Sequence, residues 1–290
     1  MANIQTILEK YRPLLASLDV ELILAHELKK SREFVLTYPE YTIPPIKIKN
    51  LKLKIARRRR GEPLAYLIGQ KEFYGLTFQV TRATLIPRPE TEMLVEKTLQ
   101  TITKIKTGRA TVVDLGTGTG NIIIAVAKNA KKKNLNYVGV DLSQKALRIA
   151  KKNAKKNNLT KIKFIQSNLL NYYFKNDQAI KTLDYLIILA NLPYLSKKNY
   201  AATAPDVKNF EPKSALFSKA NGLYHYKRLT GQLKKIKSAH PTLKIIGYWE
   251  ISPEQKEELA LFLNQVLPFA RVTFQKDLAR KWRLCEIKLE

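Results

Sequence analysis

One stretch, from Thr111 to Gly120, constrains the fold more than any other part of this sequence. Val112 and Val113 are β-branched and have no alternating polar neighbours, as is typical of a parallel strand that is covered on both faces. Three glycines follow at alternate positions, where they allow backbone conformations that a Cβ atom would block: Gly116, Gly118 and Gly120. The apolar segment 121–127 is expected to continue as a helix. The stretch therefore predicts a strand, a glycine turn and a helix, which together form a cradle for a cofactor.

The spacing of these glycines helps to identify the cofactor. The dinucleotide fingerprint requires its third glycine three residues after the second, but position 121 is Asn. A second predicted strand, 137–141, ends in Asp141, which lies 27 positions after Asp114 (141 − 114) and is placed to accept hydrogen bonds from ribose hydroxyls. Asp114, the glycine turn and Asp141 together resemble the S-adenosylmethionine site of the Rossmann-like methyltransferases. The alternative is an ordinary strand, turn and helix with a solvated aspartate.

Length and composition restrict the class of protein. A chain of 290 residues with 45% hydrophobic and 26% charged residues is expected to be globular, with one large or two modest domains. No apolar run is long enough to span a bilayer, and the N-terminus lacks the features of a signal peptide, so we expect a cytoplasmic protein. One cysteine, Cys285, forbids an intrachain disulfide, and three scattered histidines offer no metal-ligand spacing, so no metal is expected. Nothing indicates self-association, and we expect a monomer.

The chain carries a large positive charge, +28 at pH 7, from 52 Lys and Arg against 24 Asp and Glu. Such a charge favours polyanionic partners by long-range attraction, so contact with RNA or the ribosome is one interpretation. The other is that the lysines cover solvated faces, because the lysine-rich runs 128–133 and 151–156 fall on predicted helix surfaces. The charge alone identifies no partner.

Residues 1–70 are predicted to form a helical domain. Apolar residues recur at helical spacing over 4–11 and 18–28 and, less regularly, over 48–60. Three prolines between positions 38 and 45 predict a turn or loop. The domain ends with four arginines, 57–60, which either contact RNA or stabilise the negative end of a helix.

Residues 71–90 are predicted to form a hairpin and connector. Bulky β-formers alternate around Gly75, which indicates the hairpin. Pro87 and Pro89 then impose an extended segment before a helix that begins near Thr91. Such a stiff, polar connector often lines a site, and the alternative is a linker with a helix cap.

Residues 91–290 alternate between strands and helices, which predicts an α/β domain with parallel pairing and right-handed crossovers. The last two strands are joined by at most seven residues (275–281), too few for a helical crossover, and are expected to form an antiparallel hairpin. The result is a mostly parallel seven-stranded sheet with one reversed strand, the Rossmann-like arrangement of class I methyltransferases. The predicted strands lie near 111–114, 137–141, 163–166, 184–190, 244–250, 271–275 and 283–288.

Residues 191–194, Asn-Leu-Pro-Tyr, follow the predicted strand 185–190 at the carboxyl edge of the sheet, where open α/β folds bind ligands. They resemble the Asn-Pro-Pro-Tyr motif of methyltransferases that act on the planar nitrogens of amides or exocyclic amines. The lone pair of such a nitrogen is delocalised. The side-chain oxygen of Asn191 and the carbonyl of Leu192 are therefore expected to hold its two N–H groups and direct the lone pair toward the methyl group. Pro193 fixes that carbonyl, and Tyr194 is expected to wall the planar group.

Leu192 departs from the motif, which has proline at this position. Because the expected contribution is a backbone carbonyl, the change is tolerable if Pro193 holds the turn. Asn-Leu-Pro-Tyr also occurs in ribosomal-RNA adenine dimethyltransferases, and as structure alone it is a strand-ending turn.

Segments outside the cofactor site distinguish between these families. They are similar to segments of the release factor glutamine methyltransferases, and they extend over essentially the whole chain. The adenine dimethyltransferases have neither the N-terminal helical domain nor the Ile-Pro-Arg-Pro-Glu connector. The similar segments are 18–28, 58–66, 72–75, 85–92, 210–217, 221–223, 249–255 and 276–279.

This resemblance implies a cytoplasmic enzyme that methylates N5 of the glutamine in the Gly-Gly-Gln loop of peptide-chain release factors and so supports translation termination. S-adenosylmethionine would be the methyl donor and S-adenosylhomocysteine the product. The helical domain would help to hold the factor. Asn191, Leu192, Pro193 and Tyr194 would form the catalytic and substrate-binding loop, and Arg88 and Glu90 of the connector would shape the site or serve structure alone.

The resemblance also implies the cofactor contacts by position. The glycine turn would contact the methionine portion, Asp141 the ribose, and Asn168 with Leu169 the adenine, while Asn191 would serve both cofactor and substrate. The family commonly has an acidic residue at the position of Asn168 and an aromatic one near Leu169. The full set is Asp114, Gly116, Thr117, Gly118, Thr119, Gly120, Asp141, Asn168, Leu169 and Asn191.

Three alternatives remain open at this point. A sister enzyme could methylate a glutamine of a ribosomal protein with the same motif, and the positive charge keeps N6-adenine methylation of RNA or DNA in consideration. A non-enzymatic RNA- or ribosome-binding module with a degenerate site is the third, and the intact Asp114, glycines, Asp141 and Asn191 argue against it.

Overall fold

The computed structural model describes residues 2–132 and 134–290, and its contacts divide the chain into two compact units. The first unit runs to Gln70 and includes Ala204–Phe210, whereas the second comprises Lys71–Thr203 and Glu211–Glu290. No pattern in the sequence assigns Ala204–Phe210 to the first unit. Each unit has its own apolar core.

The first unit is helical, as the apolar spacing predicts. Its described helices are α1 (Ile4–Tyr11), α2 (Ser17–Leu28), α3 (Arg32–Thr37), α4 (Pro45–Arg59) and α5 (Leu64–Ile68). The apolar residues at helical spacing are the ones that form its core, including Ile4, Ile23 and Leu24, which are fully buried. Their burial is the main reason that such short helices are stable.

Two details of this unit differ from the sequence prediction. Helix α3 was not predicted, and Ser31 caps it by accepting a hydrogen bond from the backbone N–H of Phe34. Pro45, placed by the prediction in a loop, is the first residue of α4. A proline is tolerated there because the first N–H of a helix has no partner within the helix.

The predicted hairpin lies at the start of the second unit. Strands β1 (Gln70–Phe73) and β2 (Leu76–Gln79) form a two-stranded sheet. Tyr74 and Gly75 connect them with φ values of +50° and +68°, the left-handed pair that a two-residue turn of this kind requires. Phe73 and Phe78 bury their rings against the main sheet's core.

The rest of the second unit alternates strands and helices. After α6 (Glu92–Lys104) come β3 (Ala110–Leu115), α7 (Asn121–Asn129), β4 (Leu135–Asp141), α8 (Gln144–Lys156), β5 (Lys163–Gln166), α9 (Asn171–Lys175), α10 (Gln178–Lys181) and β6 (Tyr185–Ala190). Then follow α11 (Lys197–Ala201), α12 (Pro205–Phe210) of the first unit, α13 (Tyr224–Ala239), β7 (Lys244–Glu250), α14 (Lys256–Val266), β8 (Arg271–Lys276) and β9 (Trp282–Leu289).

Within the described residues the main sheet has seven strands in the order β5-β4-β3-β6-β7-β9-β8. Neighbours pair in parallel from β5 to β7, and β9 is antiparallel to both β7 and β8. The predicted sheet with one reversed strand and a terminal antiparallel hairpin is therefore confirmed. Strands β3 and β6 are central and almost completely buried, which explains their continuous apolar sequence.

The lysine-rich runs are placed differently by the structure. Helix α7 ends at Asn129, so Lys131 and Lys132 follow the helix instead of lying on it, and Lys133 is outside the described residues. In the second run, Lys151, Lys152, Lys155 and Lys156 are exposed on α8, as predicted. In the described part of the chain, no helix has the length and apolar character needed to cross a membrane.

Candidate active site

The glycine turn joins the end of β3 to the start of α7. Gly116, Gly118 and Gly120 have φ values of +70°, +54° and +78°, a region that side-chain-bearing residues rarely adopt. A Cβ on Gly116 would lie 3.2 Å from Leu192 Cδ2, and one on Gly120 would lie 2.9 Å from Ile124 Cδ1. The turn needs glycine both for its conformation and for its close contact with the Asn191 loop, residues 191–194.

Asp114, near the end of β3, is hydrogen-bonded to the glycine turn through Thr117. Its side chain is fully buried, and its Oδ2 accepts a hydrogen bond of 2.6 Å from the Thr117 hydroxyl. Burial raises the pKa of Asp114 to about 7, while the hydrogen bonds from Thr117 and from the backbone of Ile123 lower it. In the next residues of the turn, the Thr119 hydroxyl donates to Asn121 Oδ1 over 2.7 Å. These bonds stabilise one conformation of the turn.

Asp141 faces the turn from the end of the neighbouring strand β4. Its Oδ2 accepts from the Gly118 N–H at 2.9 Å, and its Oδ1 accepts from the Ser143 N–H at 2.8 Å. Burial raises the pKa of Asp141, and these backbone N–H groups lower it. An ionised carboxylate has about four acceptor positions. Asp141 therefore retains acceptor capacity toward the adjoining pocket, which it lines.

One pocket at the carboxyl edge of the parallel strands brings together most of the predicted site residues. Among these it is lined by Gly116, Thr117, Gly118, Thr119, Asp141, Asn168, Leu169, Asn191, Leu192, Pro193 and Arg88. In the described part of the chain Asp114, Gly120, Tyr194 and Glu90 do not line it. The pocket lies wholly within the second unit.

Asn168 and Leu169 follow β5 on the far side of Asp141. Leu169 is 6% exposed and has a φ of +53°, and the next N–H, of Leu170, donates to Gln232 Oε1 at 3.0 Å. This left-handed residue turns the chain sharply away from the sheet. Ser167 and His225 line the same region, and burial lowers the pKa of His225, as does the nearby charge of Arg228.

Asn191 lies at the end of β6 and is hydrogen-bonded to a second segment. Its Nδ2 donates to the Thr91 hydroxyl oxygen at 3.0 Å, and the Thr91 hydroxyl donates to Glu250 Oε2 at 2.6 Å. Thr91 and Glu250 are 2% and 1% exposed. The Asn191 amide is thus connected, through one buried hydroxyl, to a buried carboxyl group at the end of β7.

Tyr194 is turned toward Glu250. Its hydroxyl donates to Glu250 Oε1 at 3.4 Å, and its carbonyl accepts from Gln255 Nε2 at 3.2 Å. Burial raises the pKa of the Tyr194 hydroxyl, and the Glu250 charge raises it further. These contacts anchor the Asn191 loop, and Tyr194 is not among the described residues that line the pocket.

The connector before α6 is held by one buried carboxylate. Glu211 is 5% exposed and accepts from the Ile86 N–H at 3.0 Å and from the guanidinium of Arg88. This pairing places Arg88 against the pocket, whereas Glu90 is exposed. Of the two connector residues predicted for substrate contact, Arg88 lines the pocket, and in the described part of the chain Glu90 does not.

Sequence reasoning missed Glu250, Thr91 as a hydrogen-bonding residue, and Glu211. The sequence could have identified Glu250 as a candidate site residue, because it is a polar residue at the end of a buried strand, as Asp141 is. Glu211 carried none, since it lies in a loop without periodicity. The described residues contain no group of three His, Cys, Asp or Glu side chains able to hold a metal ion.

Two family descriptions match the chain. The PrmC N-terminal domain family matches residues 4–69, and a methyltransferase domain family matches residues 106–213. Among solved structures, the hMettl16 catalytic domain in complex with MAT2A 3′UTR hairpin 1 is similar to this chain, with a TM-score of 0.54 and 15% identity. The match covers 85% of this chain and 81% of that one. At this identity the likeness shows a shared fold alone.

Curated relatives are more informative. The release factor glutamine methyltransferase of Coxiella burnetii is 36% identical over 265 residues, which cover 90% of this chain and 88% of that protein. The protein of the same name from Fusobacterium nucleatum is 36% identical over 228 residues, 78% of this chain but only 60% of the relative's length. The similarity includes both the helical unit and the sheet unit in the first of these proteins.

Proposed function

The chain belongs to the release factor glutamine methyltransferase family and is an S-adenosylmethionine-dependent methyltransferase, and from this premise we propose that it methylates a glutamine side chain of a release factor. The acceptor would be the N5 amide nitrogen of the glutamine in the Gly-Gly-Gln loop of a peptide-chain release factor. The modification would support translation termination in the cytoplasm.

One observation carries the proposal. The loop of Asn191, Leu192 and Pro193 lines the same pocket as the glycine turn and Asp141, so a group held by the loop is next to a cofactor held by the turn. Methyl transfer requires this proximity, because the acceptor nitrogen and the methyl carbon must meet in line. The pocket brings Asn191 next to Asp141 and the glycine turn, which lie 50 or more positions before it in the sequence (191 − 141 = 50).

The residues present fit the cofactor chemically. Gly116 leaves the turn without a side chain where it approaches Leu192 of the Asn191 loop, Gly118 lines the pocket without a side chain, and Asp141 offers a carboxylate to ribose hydroxyls. Leu142, Ile122 and Leu169 add apolar surface to the same pocket. When bound, S-adenosylmethionine supplies an electrophilic methyl group on a positively charged sulfur.

The Asn191 loop provides the acceptors that a planar amide needs. A primary amide nitrogen carries two hydrogens and a delocalised lone pair, so it is a poor nucleophile. Two acceptors, Asn191 Oδ1 and the Leu192 carbonyl, would orient the N–H groups and leave the lone pair directed at the methyl carbon. S-adenosylmethionine would supply the methyl group and keep the electron pair of the broken bond on its sulfur, and the methylated amide nitrogen would lose one proton to solvent.

The remaining assignments are part of the same proposal. Asp114 supports the glycine turn, Asn168 and Leu169 contact the adenine, and Arg88 contacts the substrate from the connector. The helical unit helps to hold the release factor. Glu90, which is exposed in the same connector, would shape the site together with Arg88.

The test uses purified protein and S-adenosylmethionine labelled in its methyl group. Label is expected on the release factor from the same genome and not on a copy whose Gly-Gly-Gln glutamine is replaced by alanine. Naked ribosomal RNA and the ribosomal proteins are offered in separate reactions. Label on RNA alone would show an adenine methyltransferase, and label on a ribosomal protein alone would show the sister activity. Either result would contradict the proposal.

A further inference from the structure

The buried carboxyl group of Glu250 is connected to the side chain of Asn191 through the single hydroxyl of Thr91. Glu250, Thr91 and Asn191 come from three separated segments: Glu250 lies 159 positions from Thr91, and Thr91 lies 100 positions from Asn191. Thr91 and Asn191 line the pocket, whereas Glu250 does not line it in the part of the chain that the structure describes. Glu250 therefore reaches the Asn191 side chain through the Thr91 hydroxyl, while its separate contact with the Tyr194 hydroxyl holds the far end of the loop.

The chemistry of these groups gives the chain of hydrogen bonds one direction. A hydroxyl has a single hydrogen, and an ionised carboxylate has only acceptors. At 2.6 Å from Glu250 Oε2, the Thr91 hydroxyl donates its hydrogen to the carboxylate and keeps only lone pairs for other partners. The Asn191 group that meets Thr91 at 3.0 Å must then be its NH₂ group. The Asn191 oxygen is consequently left for the pocket.

Without this constraint, the amide of Asn191 has two nearly equivalent orientations. Its oxygen and NH₂ group are similar in size, and an amide exchanges them by a half turn of the side chain. In the reversed orientation Asn191 would present a donor to the substrate NH₂ group, which is also a donor. Two donors that face one another form no hydrogen bond, so the substrate amide would not be bound and both N–H groups would be left unpaired.

We infer that Glu250 is a positioning residue, which acts through the Thr91 hydroxyl to keep the Asn191 oxygen directed at the substrate amide. The inference rests on the proposed function, because it assigns a geometry to the same substrate site. Glu250 does not act as the base, since the Thr91 hydroxyl separates it from the pocket. Its role is to make Thr91 an obligate acceptor.

The surroundings of Glu250 make this role dependent on pH. Burial raises the pKa of Glu250 to about 6, the Thr91 hydrogen bond and the charge of Arg283 on β9 lower it, and the charge of Glu90 raises it. The hydroxyl of Tyr194 faces the carboxyl group at 3.4 Å, and that of Tyr226 on α13 donates to the Glu250 carbonyl. Below this pKa the carboxyl group gains a hydrogen, and Thr91 is no longer constrained to accept from Asn191.

Glu250→Gln tests the inference with little change in volume. The amide of glutamine can donate as well as accept, so Thr91 loses its constraint. We expect kcat for the release factor to fall about 10- to 100-fold, while the Kd for S-adenosylmethionine stays within about threefold of wild type. Wild-type kcat should fall as the pH decreases through about 6, and this decline should be absent in the variant.

Two threonine variants test the link itself. Thr91→Val removes the hydroxyl and should reproduce the loss of kcat, whereas Thr91→Ser keeps the hydroxyl and should restore most of it. Glu286→Gln is the matched control, because Glu286 is a half-buried carboxylate on β9 that is hydrogen-bonded to the Tyr248 hydroxyl and lies outside the pocket. It should keep wild-type kcat.

The outcomes separate the two claims. If wild type methylates the release factor, but Glu250→Gln or Thr91→Val keeps its kcat and its decline at low pH, the positioning role is wrong and the function stands. If wild type transfers no label to the factor, the proposed function itself fails. Should Glu250→Gln not fold by circular dichroism, the contrast between Thr91→Val and Thr91→Ser still decides.

Discussion

The side-chain nitrogen of Asn191 donates a hydrogen bond to the hydroxyl of Thr91 at 3.0 Å, which joins the loop after β6 to the start of α6. Thr91 follows the proline-rich connector, and Asn191 follows β6, the fourth of the seven strands in the sheet order. Thr91, the residue just before α6, therefore links the end of the connector to the site. This bond and the position of Asn191 in the pocket lining support the role proposed for Asn191.

Asn191→Ala should abolish methyl transfer more completely than any other single change in the loop. It removes the acceptor that holds the substrate amide, so kcat should fall about 100-fold or more. Single-turnover rates with labelled cofactor measure the effect. Asn199→Ala, on α11 outside the pocket, is the control and should retain activity. Wild-type rates in Asn191→Ala would remove Asn191 from the mechanism.

Gly120→Ala and Gly118→Ala separate two reasons for glycine in the turn. Both positions have positive φ, which costs a residue with a side chain about 1 to 2 kcal/mol. Only at Gly120 would the new Cβ also collide, at 2.9 Å from Ile124 and 3.2 Å from Ala150, whereas at Gly118 the nearest atom is 3.8 Å away. Overpacking adds about 1 to 3 kcal/mol. Urea unfolding should therefore show the larger loss for Gly120→Ala, and equal losses would contradict this packing.

Asp114→Asn should change how stability depends on pH in the cofactor-free protein. Burial raises the pKa of Asp114 from 3.8 to about 7 in the folded state, so unfolding releases its proton between these values. Stability from this group is therefore lost as the pH rises from about 4 to 7. The free energy of unfolding of the variant, minus that of wild type, should increase with pH by a few kcal/mol, roughly 4 at most.

Urea titrations at several pH values measure this difference. Glu257→Gln, at an exposed position on α14, controls for the loss of one negative charge. A difference for Asp114→Asn that declines or stays constant over the same range would show that the carboxyl group is ionised and well solvated.

The arginine run at the end of α4 is predicted to contribute to stability unequally. Arg58 donates to Asp19 at 2.6 Å, and its side chain is 24% exposed, whereas Arg60 is exposed. Arg58→Ala should lower the free energy of unfolding by about 1 kcal/mol, and Arg60→Ala by less than about 0.5 kcal/mol. Thermal unfolding distinguishes the two. If RNA binding is present and weakens in Arg60→Ala alone, the run has a separate role in contacting RNA.

Much of the fold was predictable because the strands of the second unit are buried on both faces. Strands β3, with Val112 and Val113, and β6 have apolar residues on both faces. A short, continuous apolar run of this kind predicts a buried strand without tertiary information. The reversed strand followed from the short connection to β9. Helix α3 was missed because its six residues are too few to show an apolar periodicity. The assignment of Ala204–Phe210 to the first unit was not predictable, since it depends on contacts between distant segments.

The site was predictable where strand ends carry polar residues, and less so elsewhere. Asp141 and Asn191 follow buried strands and reach the same pocket, as parallel strands require. The hydrogen bond from Thr91 to Glu250 joins residues 159 positions apart, and nothing in either local sequence specifies it. The orientation of Tyr194 toward Glu250 was likewise outside the reach of a motif, because a motif gives residue types and not side-chain directions.

The most direct measurement of the central claim is the chemical position of the transferred methyl group. The release factor is methylated with labelled S-adenosylmethionine and digested. One portion of the labelled peptide is hydrolysed in hot acid, which cleaves a methylated amide to glutamate and methylammonium, and added alkali then releases volatile methylamine. We predict that the label leaves as methylamine and that tandem mass spectrometry places it on the Gly-Gly-Gln glutamine. Label that stays on a non-volatile amino acid, or on another residue, would contradict amide methylation at the Asn191 loop.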